Sequence, residues 1–147
     1  MGETTALRTE DNRERTCAER VAGQWESRKE DFRAILDAEC AGLEPGDEGW
    51  PEQYGPFNEY GLWFDYVAPD TFDDQPEAFF RYGLSTGGPG DELRFYHDAG
   101  ATYCYRIEYW FLDWFDGAML DVTHDEVARG VWQQFEDFAE DYRDEED

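Results

Sequence analysis

The residues through which this sequence could do chemistry are two histidines, three cysteines, a glycine-rich segment and a large excess of carboxylates. His97 precedes Asp98 and His124 precedes Asp125, so each imidazole has an acid beside it. No further His or Cys lies at the short spacing a metal site needs, and no metal ligand set is expected. His97 reads as a surface residue at a strand end, and His124 as a solvated neighbour in the first turn of the last helix. Cys17, Cys40 and Cys104 lie far apart and leave one over, which favours reduced thiols acting as small core residues. TGGPGDE, residues 86–92, suggests a phosphate loop but lacks the following Lys and Ser or Thr, and a hairpin turn explains it better. DQPE and DVTHDE do not follow the alternating ligands, central Gly and terminal Glu of a calcium loop. Carboxylate pairs such as Asp113 with Asp116 are too plentiful to specify acid–base catalysis. Neither a catalytic group nor a cofactor is expected.

The carboxylates carry the remaining signal. Among 147 residues, 37 are acidic and 12 are Lys or Arg, a formal net charge of -25. The first 43 residues are nearly balanced, so the imbalance falls on the rest. Such a field steers the chain toward basic partners. It opposes direct nucleic-acid binding, which needs basic groups against phosphate. An array of carboxylates on strands and a helix could instead copy a phosphate backbone. The candidates are Asp65, Asp70, Asp73, Asp74, Asp113, Asp116, Asp121, Asp125, Glu136, Asp137, Glu140 and Asp141. LDWFDGA, residues 112–118, sets Trp114 and Phe115 between two of these acids, either as an aromatic hot spot or as the closure of the core.

These residues need elements to position them. Aromatics are 18% of the chain, enough core-forming side chains to exclude wholesale disorder. The length fits one domain, residues 1–147, with frayed ends at 1–12 and 143–147. Thr16 and Glu19 form a capping pattern for a first helix running to about Gly42, with Val21, Trp25, Arg28, Phe32, Leu36 and Cys40 at helical spacing. Residues 44–58 read as a loop pinned by Trp50, Tyr54 and Phe57. Four strands follow, at about 60–67, 79–86, 92–97 and 102–112, separated by turn residues. In the fourth, Tyr103, Tyr105, Ile107, Tyr109 and Phe111 should share one face, with Cys104, Arg106, Glu108 and Trp110 on the other. Thr123 and Glu126 form a second capping pattern for a last helix with an apolar stripe of Val127, Val131, Phe135, Phe138 and Tyr142. The expected architecture is α+β, a four-stranded antiparallel sheet with flanking N- and C-terminal helices.

The segments YGLSTGGPGDELRFYHD and RIEYWFLDWFDGA, within residues 60–118, resemble small acidic proteins encoded on bacterial plasmids and phages. Proteins of this kind are similar to anti-restriction and anti-CRISPR inhibitors, several of which imitate DNA. The resemblance implies a cytoplasmic inhibitor whose partner is a basic nucleic-acid-binding protein or ribonucleoprotein complex, and it implies no particular site residue. An acidic regulatory module, a halophilic housekeeping domain and an enzyme are the competing readings. No stretch approaches the roughly 20 apolar residues of a membrane span. A homodimer with two-fold symmetry would double the acidic surface.

Overall fold

The computed structural model describes residues 16–86, 89–97, 103–113 and 116–146, the last run without the side chains of Phe138 and residues 140–146. The first helix, α1 (Cys17–Cys40), begins at the expected capping box. The Thr16 side chain accepts the Glu19 amide, and the Glu19 carboxylate accepts the Thr16 amide. The helix ends in a paired lock: the Gly42 amide donates to Glu39 O at 2.9 Å and the Leu43 amide to Ala38 O at 3.0 Å. Gly42 sits at φ +80°, the left-handed conformation this ending requires. Val21, Trp25, Phe32, Ile35 and Ala38 are buried. Cys40 is exposed, because strict four-residue steps drift off a 3.6-residue face and Ile35 and Ala38 take the inner positions.

Residues 44–56 form the expected loop. Buried Trp50 and Phe57 fix it, and Trp50 Nε1 donates to Tyr54 O at 2.8 Å. A single helical turn, α2 (Phe57–Tyr60), replaces the end of the loop expected over 44–58 and moves the start of the first strand from about residue 60 to Trp63. The sheet has five strands, not four: β1 (Trp63–Val67), β2 (Phe79–Ser85), β3 (Gly90–His97), β4 (Cys104–Asp113) and β5 (Asp116–Asp121). They pair antiparallel in chain order, a plain meander with β1 and β5 at the edges. The additional strand is DGAMLD, poor in β-branched and aromatic residues and mostly exposed, so its sequence carries little strand signal.

One further correction concerns β4. The register passes from Tyr96 opposite Arg106 to His97 opposite Cys104, leaving Tyr105 as an extra residue. This bulge reverses the alternation: Cys104 joins Ile107, Tyr109 and Phe111 in the main core, while Tyr105 packs with Tyr96 on the other face. His97 also differs from its expected surface position, being half-buried with its ring 4.9 Å from that of Phe80.

The last helix, α3 (Glu126–Glu146), starts after Asp125, whose carboxylate accepts the amides of Val127 and Ala128 at 2.8 and 3.2 Å. Thr123 is therefore not the cap. It is buried, its hydroxyl accepting the Ile107 amide and donating to Asp121. Val127, Ala128, Val131, Trp132, Phe135 and Ala139 are buried, and α1 and α3 pack together on one face of the sheet. The backbone is helical through residue 146, whereas residues 1–12 and the segments 87–88 and 98–102, where turns were expected, lie outside the described residues.

Candidate partner-binding surface

Nearly every described basic side chain is consumed inside the molecule. Arg28 makes a two-pronged ion pair with buried Asp91, Nε to Oδ2 at 2.7 Å and Nη2 to Oδ1 at 2.9 Å. Asp91 also accepts the Tyr109 hydroxyl at 2.6 Å and that of Ser85. Arg28 donates to Tyr60, and the hydroxyls of Tyr60 and Tyr54 both donate to Asp31. This network ties α1 to β3, β4 and the 44–56 loop. Burial works against the Arg28 charge, but Asp91 outweighs it and keeps the guanidinium protonated; burial and Asp91 both push the Tyr109 hydroxyl up. Arg20 pairs with Asp113 at 2.7 Å, Lys29 with Asp125 at 3.2 Å and with Glu26 at 3.3 Å. Arg129 donates to the carbonyls of Thr123 and Cys104, both at 2.6 Å.

The sheet face away from the helices holds three more arginines. Its central row runs Asp65, Arg81, Arg94, Glu108 and Asp121 across all five strands. Arg81 binds Asp65 at 2.9 and 3.2 Å, Arg94 binds Glu92 at 2.7 Å, and Arg106 binds Glu77 at 2.8 Å. Each guanidinium also lies over a ring: Arg94 is 4.1 Å from the Trp110 centroid, Arg106 is 3.9 Å from that of Tyr96, and Arg81 is 5.6 Å from that of Trp63. Buried Glu108 accepts from Tyr96 and Trp110 at 2.9 and 3.0 Å. Residues 68–78 overhang this face around Gln75, whose Oε1 accepts the amides of Thr71 and Phe72. Between loop and sheet lies a cleft of about 560 Å³.

The consequence for the surface is simple. Among the described residues, Arg33 is the one exposed basic side chain, while exposed acids occur on both long helices, the connecting loops and β5. The candidate acids divide into two groups. Asp65, Asp113 and Asp125 are half-buried in ion pairs. Asp116 is exposed, yet it accepts the Cys17 amide at 2.7 Å and so caps α1 from the sheet; that bond, first among its contacts, holds its carboxyl below the usual range. Asp121, also exposed, is lowered by the Thr123 hydroxyl and amide. These five act within the fold. Asp70, Asp73, Asp74 and Asp137 are exposed, and Glu136 is half-buried. Glu140 and Asp141 lie on α3 with their side chains outside the described residues, as are Trp114 and Phe115 altogether.

The candidates therefore do not form one array. Asp70, Asp73 and Asp74 lie in the loop over the outer sheet face, Asp113 and Asp116 flank the β4–β5 turn, and Asp121 ends β5 at the opposite end of the hairpin. Sequence reasoning missed buried Asp91, Glu92 and Glu108 as fold-building acids. The signal available for them was Arg28 inside the apolar stripe of α1 and the Arg–Glu alternation of β3 and β4.

Burial pushes the Cys104 thiol up to about 11 and also raises that of Cys17, so neither is a ready thiolate. Among the described residues no group of His, Cys, Asp or Glu is arranged to hold a metal ion, and no helix is long and apolar enough to cross a membrane. Comparison with protein-family models, curated proteins and solved structures finds no match to this chain.

Proposed function

We propose that this chain is a stoichiometric inhibitor that occupies the nucleic-acid channel of a basic target, a nuclease or a bacterial defence complex, with its carboxylates standing in for phosphates. The observation that carries the reading is the segregation of charge: among the described residues every basic side chain but Arg33 is spent on internal bonds, and the other exposed charges are acids. A random solvated surface would leave cations outside as well. DNA carries one charge per ~1.7 Å of axis. Exposed acids on loops, β5 and α3 present anions to a basic channel. The rigid sheet beneath them lowers the entropy cost of presenting them. Inhibition by occupancy needs no turnover, which suits a chain whose buried Cys17 and Cys104 thiols are pushed up and whose described buried acids, Asp91, Glu92 and Glu108, are all bonded.

The test is capture from a bacterial lysate expressing restriction and CRISPR systems, at about 100 mM salt, followed by elution with excess duplex DNA. Elution of a nuclease or effector complex by DNA is the expected result. A partner that DNA does not release would replace this reading with that of a regulatory module binding elsewhere.

A further inference from the structure

A second cavity, of about 340 Å³, lies at the β1 edge of the sheet beside α2, the C-terminal part of α1 and α3. Its walls are aromatic, from Phe57, Trp63, Phe64, Tyr82 and Phe135, and among the described residues Glu39 is the one charged residue in its lining. The Glu39 carboxylate is half-buried, desolvation raises its pKa, and its hydrogen bond comes from the neutral Gln134 side chain. No ion pair among the described residues uses Glu39. An aromatic wall with one uncompensated carboxylate attracts a cation on an apolar stem: ring faces are electron-rich, and the stem is content against apolar carbon.

The protein already fills such settings with guanidinium. Arg94 sits between the Trp110 ring and Glu92, and Arg106 between the Tyr96 ring and Glu77. The β1-edge cavity has rings and carboxylate but no arginine among its described lining residues; Arg81, 5.6 Å from the Trp63 centroid, is paired with Asp65 and does not line the cavity. We propose that it receives an arginine side chain from the partner, giving the otherwise diffuse charge attraction one fixed anchor. This rests on the reading of a basic partner and adds to it a defined point of contact, since long-range charge sets encounter rate while a filled pocket sets residence.

The test uses n-propylguanidinium as the probe and neutral n-propylurea as its control, titrated into isotopically labelled protein and followed by the side-chain resonances of Gln134 and Trp63. Saturable binding of the cation, with the urea binding at least about tenfold more weakly, is expected. Glu39→Gln should weaken the cation roughly tenfold, whereas Asp37→Asn, an exposed acid on the same helix, should not. Equal binding of cation and urea, absence of saturation, or equal losses in the two variants would overturn the proposal. If Glu39→Gln does not fold, the comparison of the two probes on the unaltered protein decides alone. Because the titration needs no partner, DNA-displaceable capture without propylguanidinium binding would remove the pocket and leave the inhibitor reading intact. Probe binding without such capture would do the reverse.

Discussion

Asp91 is buried to 4% exposure and holds four groups at once: two nitrogens of Arg28, the Tyr109 hydroxyl and the Ser85 hydroxyl. Removing one partner from such a pair leaves the other charge desolvated. Asp91→Ala is therefore expected to cost about 3 kcal/mol or more in urea denaturation. Asp73→Asn, on an exposed carboxylate, should stay within about 0.5 kcal/mol. Asp125 gives a pH signature. Desolvation pushes its carboxyl up, but the amides of Ala128 and Val127 and the Lys29 ammonium outweigh that and hold it below the ordinary value. A carboxylate lowered in the folded state contributes stability that is complete above its unfolded pKa of about 3.9 and is lost as pH falls through the folded value. Asp125→Ala should thus cost about 1 kcal/mol at neutral pH, and the difference from the unaltered protein should narrow as pH falls below about 3.9 in a pH series of urea midpoints.

At the scale of elements, two glycines set geometry that no other residue supplies. Gly42 holds φ +80° at the end of α1, and Gly42→Ala is expected to lower stability by about 1 kcal/mol. Gly83 lies beneath the Trp63 ring, where an added Cβ would stand 2.2 Å from the indole. Gly83→Ala must displace Trp63 and the β1 edge, at a cost of about 1–3 kcal/mol, with a change in tryptophan fluorescence as the specific readout. Elements with local signals were legible from the sequence: the Thr16 box and apolar stripe of α1, and the aromatic content and bounding turn residues of β2 to β4. What escaped was set by tertiary contact. β5 is a strand because β4 offers it a partner, not because DGAMLD favours extended backbone. The Tyr105 bulge moves Cys104 inward with no mark in the sequence. Thr123 lost the cap to Asp125 because it is held by Ile107 and Asp121. The candidate site was legible as a charge sign only: which acids are free depended on where each arginine found its partner.

For the whole molecule, the charge proposed to draw a partner also works against the fold. Exposed acids on the helices, the connecting loops and β5 repel one another, and added salt screens them. Raising NaCl from about 50 mM to 500 mM should raise the melting temperature while weakening partner binding, opposite signs from one cause. A domain whose ion pairs dominated its stability would instead melt lower as salt rose. The internal pairs here are shielded by rings and burial, as in Arg94 under Trp110, and should respond little.

Central to the account is the claim that this surface competes with nucleic acid for one channel. The most direct measurement is fluorescence anisotropy of a labelled duplex bound to the captured target, with the purified protein titrated in at about 100 mM salt. The account predicts full release of the duplex near one equivalent of protein, with the titration shifting to higher protein concentration as salt rises. A ternary complex in which the duplex stays bound while the protein saturates the target would contradict it.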